Sequence, residues 1–283
     1  MSKSLIWFTT PMQQRSKSEF IRDWLSATAR PHPLIKKRKR FISMIIGIKK
    51  SERIFPPPLT VNRSPLTERI TMNKRNYQKE MDALIERNTR DGIRPTLLLH
   101  VCCAVCASYV LEYLYRHFDI TIAYYNPNIT EESEYSYRYS ELRRYVEEAG
   151  LSDYIRFAEV EYRPGDFFES VKGRENDREG GTRCTICFDQ RLRYTAELCK
   201  EGGYDYFATT LTISPLKNAE LLNRIGEKLA AEYGVNYLCS DFKKKEGYKR
   251  SIELSRQYHL YRQNYCGCVF SQKEAENRSK AIN

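Results

Sequence analysis

The sequence predicts an α/β fold: a doubly wound, mostly parallel, Rossmann-like (HUP-like) sheet with helices on both faces. Two observations carry that expectation. From Thr96 onward, short apolar runs alternate with longer stretches of helical period, the rhythm of βαβ units. The run Leu97-Leu98-Leu99 reads as a short buried strand, and the βαβα rhythm implies a parallel sheet covered on both faces.

Taken in order, the elements are these. Tyr77, Met81, Leu84 and Ile85 fall on one side of an amphipathic helix that opens the domain. Residues 97–101 form a buried strand, and 107–117 a helix with Val110, Leu111 and Leu114 at helical spacing. Residues 120–125 form the second strand, 131–150 a helix ending at a glycine, and 155–160 the third strand. A helix over 187–200 stops before Gly202-Gly203. The fourth strand covers 206–210. Helix 218–233, closed by Gly234, leads to a fifth strand over 235–239, and helix 247–259 follows.

Sheets of this kind bind ligands beyond the carboxyl ends of their strands, near the point where strand order reverses. Cys102 and Cys103 follow the first strand, Asn126, Pro127 and Asn128 the second, Thr209 and Thr210 close the fourth, and Asp241 follows the fifth. Four of the five strands thus deliver polar or reactive groups to one edge.

The charge is divided unevenly. The net charge is +11, and residues 1–71 hold 15 of the 47 Lys and Arg but only 4 of the 36 Asp and Glu. The remainder is neutral, so nucleic-acid binding there must rest on local patches. Residues 1–71 include the basic run 36–40 and Pro56-Pro57-Pro58, with no sustained period. They read as a basic, disordered extension, with Met72 as a rival start of the protein; residues 72–283 read as the catalytic domain. No apolar run reaches the about 18 residues of a membrane span, and no secretory signal is apparent. A cytoplasmic protein is expected.

All nine cysteines lie beyond residue 101. Closely spaced cysteines without signs of secretion are metal ligands or redox groups more often than disulfide staples. Three groups stand out. Cys102, Cys103 and Cys106 sit at a strand-to-helix junction, where amide N–H groups favour thiolates. Cys184 and Cys187 have the two-residue spacing that turns both sulfurs toward one centre. On these residues alone, an iron–sulfur cluster on Cys102, Cys103, Cys184 and Cys187, a closed zinc site, and a thioredoxin-like pair all remain open. In Cys266-Gly267-Cys268, one intervening residue permits a small strained disulfide of the redox-active sort; two further metal ligands are the alternative. Cys199 and Cys239 read as core residues, His100 as a packed, hydrogen-bonded histidine, and residues 243–245 as a solvated lysine run.

Together these residues resemble the QueH type of epoxyqueuosine reductase. The resemblance rests on Leu97-Leu98-Leu99-His100 with Cys102-Cys103-Ala104 and Cys106, Tyr125-Asn126-Pro127-Asn128-Ile129 with Glu134-Tyr135, and Arg183-Cys184 with Cys187 and Arg191-Leu192. It continues through Thr209-Thr210-Leu211 with Ser214-Pro215, Asp241-Phe242-Lys243-Lys244 with Gly247-Tyr248, and the run from Tyr261 through Arg262, Gln263, Asn264 and Tyr265 to Cys266-Gly267-Cys268. It spans roughly residues 73–272. Val105 departs from the family's usual proline, which alters the turn but removes no sulfur.

The resemblance implies reduction of the epoxide of epoxyqueuosine to the alkene of queuosine, at the wobble position of tRNA. It further implies a 4Fe–4S cluster on Cys102, Cys103, Cys184 and Cys187, and a redox disulfide between Cys266 and Cys268. A second, mononuclear iron would draw on Cys106, Asp189 and Asp241. The reaction needs two electrons, from an unidentified donor, and an acid for the departing oxygen. Tyr135, Tyr137 or Tyr139 could stack on an unpaired base, and Lys243, Lys244, Lys245, Lys249 and Arg250 could hold the tRNA backbone. Two rivals are a tRNA sulfur-transferase of the ATP-pyrophosphatase kind and a zinc-stabilised RNA-binding module. The first would need a glycine-rich phosphate loop after the first strand, where 100–106 has no glycine. The second would leave the CGC pair without a purpose.

Overall fold

The computed structural model describes residues 75–282; the expectations for residues 1–71 and for the boundary at Met72 lie outside them. Its elements are α1 (Tyr77–Arg90), β1 (Thr96–His100), α2 (Ala104–Leu114), β2 (Asp119–Ala123), α3 (Glu132–Glu148), β3 (Ile155–Phe157), α4 (Pro164–Ser170), α5 (Thr182–Gly202), β4 (Tyr206–Thr209), a 3₁₀ turn (Thr210–Ile213), α6 (Ala219–Tyr233), β5 (Asn236–Tyr237), α7 (Gly247–Gln257) and α8 (Val269–Ile282).

The five strands form one parallel sheet in the order β3-β2-β1-β4-β5. Its centre, β1, pairs with β2 from Thr96–Asp119 to His100–Ala123 and with β4 from Leu97–Tyr206 to His100–Thr209. The chain reverses its direction of growth between β3 and β4, so the crevice beyond the carboxyl ends of β1 and β4 is the switch point. The strand period of two sorts the leucines of β1. Leu97 and Leu99 join the core under α2 and α3, while Leu98 joins the core under α5 and α6, so both sheet faces are covered.

Local chemistry fixes the helix ends. The Asn76 side chain accepts the Lys79 amide and Asn218 accepts that of Leu221, both N-caps. Gly203 and Gly234 stop α5 and α6 in the left-handed conformation, with φ of 66° and 70°, where glycine has no Cβ penalty.

Several boundaries differ from expectation. Helix α2 begins three residues early, because Cys103 itself serves as N-cap. Helix α5 begins at Thr182 rather than residue 187, which brings Cys184 as well as Cys187 into its first turns. Strands β3 and β5 are shorter than expected. Helices α4 and α8 were not expected. The first is a seven-residue helix with Pro164 at its start; the second follows the CGC tripeptide directly.

Candidate functional site

The switch-point crevice opens into a cavity of about 320 Å³ lined by Cys102, Cys106, Cys184, Cys187, Cys266 and Cys268. Three helices begin near it, and at the start of each a cysteine sulfur accepts a backbone amide. At the start of α2, the Cys103 sulfur accepts the Cys106 amide at 3.4 Å. At the start of α5, the Cys184 sulfur accepts the Gly180 amide at 3.2 Å. At the start of α8, the Cys268 sulfur accepts the Ser271 amide at 3.4 Å. Free N–H groups and the positive end of the helix dipole favour negative sulfur at each position.

The first group is tightest: the sulfurs of Cys102, Cys103 and Cys106 all lie within 4.8 Å of one another. Hydrogen bonds from the Cys102 and Cys106 thiols hold the buried Cys103 well below the usual thiol range. The same contacts push Cys106 up. Thr210, just past β4, borders this group: its hydroxyl accepts the Cys102 amide at 3.4 Å and lies 3.7 Å from the Cys102 sulfur. On the opposite wall, burial pushes Cys187 up to about 12 in the absence of a bound cation. Cys187 packs with Cys268, Phe167 and Val171, which brings α4, α5 and α8 together. All nine cysteines are free thiols.

The CGC tripeptide is held from α3. Arg138 donates to the Cys266 carbonyl at 3.1 Å and is itself paired with Glu134 at 2.6 Å. Its guanidinium lies 5.2 Å from the Tyr265 ring centroid. Gly267 has a φ of 121°, and a Cβ there would stand 2.9 Å from Ile129 Cγ1 and 3.2 Å from Arg138 Nη1. Only glycine passes through this gap without displacement.

Basic side chains complete the lining. Arg183 is paired with Glu274 at 3.2 Å. Arg191, on the turn of α5 after Cys187, is 1% exposed. It donates to the Cys187 carbonyl at 3.3 Å and to Asn126 Oδ1 at 3.4 Å, and Asn126 in turn anchors to the Val101 carbonyl at 2.8 Å. Arg191 Nη2 has no partner. Lys217, on the loop before α6, also lines the cavity. Burial alone would lower its pKa, but the sulfurs of Cys266, Cys102 and Cys106 raise it well above the ordinary lysine value.

The remaining expected residues divide. Cys106, expected as a spare ligand, sits beside Cys102 and Cys103. Asp189 and Asp241 lie outside the lining of the cavity. Asp189 is held by Arg193 at 3.2 Å and Lys228 at 3.9 Å, and Asp241 by Lys243 at 2.5 Å. Both carboxylates are satisfied by neighbouring cations and do not join the sulfur group. His100 is the packed histidine expected, its ring nitrogens 2.9 Å from Thr209 Oγ1 and 3.2 Å from the Tyr125 carbonyl. Cys199 is a core residue, whereas Cys239 is half-buried beside Glu227 at 3.4 Å. The lysine run is only partly a solvated face: Lys243 bonds Asp241 and the Thr212 carbonyl, and Lys245 pairs with Asp82. Tyr135 and Tyr139 pack against Tyr124; Tyr137 alone of the three is exposed.

Sequence reasoning did not single out Arg138 or Lys217. The i,i+4 spacing of Glu134 and Arg138 was a usable signal for the first. A lone lysine after Pro215-Leu216 gave none for the second.

Fold and site together define a doubly wound α/β protein with a thiol-lined, cation-bearing pocket at its switch point, a class suited to metal–thiolate and redox chemistry. The family model described as "Epoxyqueuosine reductase QueH" matches residues 97–274, a span that includes all nine cysteines. The chain belongs to that family. It is 41% identical over 227 residues to epoxyqueuosine reductase QueH of Staphylococcus aureus strain Mu50, covering 79% of this chain and 95% of that protein. The Streptococcus pyogenes serotype M1 protein of the same name is 43% identical over 202 residues, covering 71% and 79%. That of Thermotoga maritima is 34% identical over 188 residues, covering 66% and 95%.

Proposed function

We infer that this chain is an epoxyqueuosine reductase, an oxidoreductase that removes the epoxide oxygen of epoxyqueuosine in tRNA to give queuosine. Membership of the family supports the activity. One observation carries its assignment to this site: six cysteines from three distant segments line a single cavity at the switch point.

The donor set fits an iron–sulfur group. Thiols suit iron–sulfur clusters. Three helix N-termini favour their deprotonated form, and the orphaned Arg191 nitrogen lies where an anionic group would satisfy it. Cys102 and Cys103 from one wall, with Cys184 and Cys187 from the other, would hold a 4Fe–4S cluster. Of the residues expected at a second iron, Cys106 alone remains a candidate. Bound there, the cluster supplies electrons singly, and an iron with an open position supplies a Lewis acid for the epoxide oxygen.

The chain's own residues provide the rest. Cys266 and Cys268, as a dithiol, store two electrons and two protons, which matches a reaction that consumes two of each and releases water. Arg138 holds their tripeptide against the cavity through the Cys266 carbonyl. Lys217 adds a positive charge to the lining. At about 320 Å³ the cavity is too small to admit a duplex, consistent with a wobble nucleoside turned out of the anticodon loop to reach it. The exposed Tyr137 and Lys244 are the candidates for contact with the rest of the loop. Residues 72–283 make up the catalytic part, since every cysteine lies within them. No helix among the described residues is long and apolar enough to cross a membrane, and a tRNA substrate supports a cytoplasmic site of action. The electron donor is a separate partner.

Anaerobic reconstitution, metal and sulfide analysis, and nucleoside analysis of tRNA containing epoxyqueuosine test this reading. The wild-type chain should bind iron and acid-labile sulfide and form queuosine. Cys103→Ser and Cys184→Ser should lose the broad visible absorption and the activity together. Full iron and sulfide in Cys184→Ser would overturn the ligand assignment.

A further inference from the structure

Five basic side chains line the cavity: Arg138, Arg183, Arg191, Lys217 and Arg278. Three are already matched by carboxylates, Arg138 by Glu134, Arg183 by Glu274 and Arg278 by Glu179. Among the described residues, Glu179 is also the only acidic one of the lining. Arg191 and Lys217 form no ion pair among the described residues. A guanidinium 1% exposed, bonded only to neutral oxygens and with Nη2 unpartnered, is a costly arrangement unless an anion completes it. The cavity that Arg191 and Lys217 line is also lined by Cys102, Cys184, Cys187 and Cys266. A cubane cluster held by four thiolates carries a net charge of about −2 when oxidised and one unit more when reduced. The two unmatched cations offset the oxidised charge.

We propose that Arg191 and Lys217 are the built-in counter-charge of the bound cluster and set how readily it accepts an electron. The proposal rests on the iron–sulfur reading given above. A fixed positive charge in a poorly solvated pocket stabilises the more negative, reduced state more than the oxidised one. The third guanidinium nitrogen of Arg191 explains why an arginine, rather than a neutral donor, stands one helical turn after Cys187. Both are positioning residues: neither is assigned contact with the epoxide.

The test is a redox titration, followed by electron paramagnetic resonance, of the full chain reconstituted anaerobically with iron and sulfide. Wild type, Lys217→Gln, Arg191→Gln and Arg191→Lys are compared. Lys217→Gln lies on a loop and should fold normally. Each glutamine variant should lower the ratio of reduced to oxidised cluster at fixed potential at least tenfold, ~59 mV for one electron. Arg191→Lys should stay close to wild type. Thermal unfolding gives an independent readout. The rise in Tm on loading the metal-free chain should be smaller in both glutamine variants, because less of the cluster's charge is compensated.

Unshifted titrations in both glutamine variants with full iron and sulfide would overturn the proposal. If Arg191→Gln fails to hold the cluster, retention in Arg191→Lys with a shifted Lys217→Gln supports it. Loss in Arg191→Lys with an unshifted Lys217→Gln refutes it. Absence of iron and sulfide from the wild-type chain would instead remove the iron–sulfur reading, and this proposal with it.

Discussion

Replacing Gly267 by alanine probes the one point where backbone conformation and the proposed redox pair meet. The φ of 121° is a conformation that side-chain-bearing residues rarely adopt, and imposing it costs about 1–3 kcal/mol. The added Cβ would approach Ile129 Cγ1 to 2.9 Å and Arg138 Nη1 to 3.2 Å. Neither neighbour can withdraw easily, since both are buried and Arg138 is pinned by Glu134 and the Cys266 carbonyl. Overpacking of this kind adds about 1–3 kcal/mol. Together the penalties come to about 2–6 kcal/mol, divided between global destabilisation and local release of the tripeptide. For a domain of about 200 residues each kcal/mol is worth about 2–4 °C in Tm. Calorimetry should therefore show a fall of several degrees, or the Cys266 and Cys268 thiols should react faster with iodoacetamide than in wild type, according to which route relieves the strain. A variant that matches wild type in both Tm and thiol reactivity would refute the reasoning.

Two further outcomes are expected. Cys266→Ala and Cys268→Ala should leave iron content and cluster spectra nearly intact while stopping multiple turnover; loss of the cluster from either would make the pair ligands instead. Asp82→Asn should cost ~1 kcal/mol at neutral pH, because Asp82 joins α1 to Tyr113 of α2 and to Lys245 before α7. Burial raises the Asp82 pKa, but Lys245, Tyr113 and Gln78 outweigh it and hold the carboxyl below its ordinary 3.8. A depressed folded-state pKa gives stability that is complete above about pH 4 and lost as pH falls through the folded value. The difference between Asp82→Asn and wild type in urea unfolding should accordingly shrink from pH 7 to pH 3, and a constant difference would count against the assignment.

The order of strands and helices was legible because its signals are local. Apolar runs such as Leu97-Leu98-Leu99 and caps such as Asn218 and Gly234 act within a few residues. Helix α4 escaped because Pro164-Gly165 reads as a breaker, although proline suits a first helical turn. The start of α5 was placed late because Gly180-Gly181 and a cysteine pair suggest a loop; the helix needs only Gly181 as its N-cap. The cysteines were legible as a set, but not which of them share a wall. Cys268 packing on Cys187 depends on α8, whose sequence carries little periodic signal. Asp189 and Asp241 rested on the resemblance and, for Asp241, on its place after the fifth strand. Arg193 four residues after the first and Lys243 two after the second already offered them ordinary ion pairs. The burial of Arg191 and the approach of Lys217 arise only when β1, α5 and the loop before α6 converge, which no local pattern reports.

The arrival of sulfurs from three separate segments has a mechanical consequence. A group bound to both the α2 and α5 walls closes a loop of about 80 residues, and in chain-entropy terms a cross-link of that span restricts the unfolded chain by about 4–5 kcal/mol. The metal would then act as a removable staple between the first βα unit and the second half of the sheet. Without that cross-link, the two halves would be joined by the sheet pairing of β1 with β4 and by side-chain packing alone.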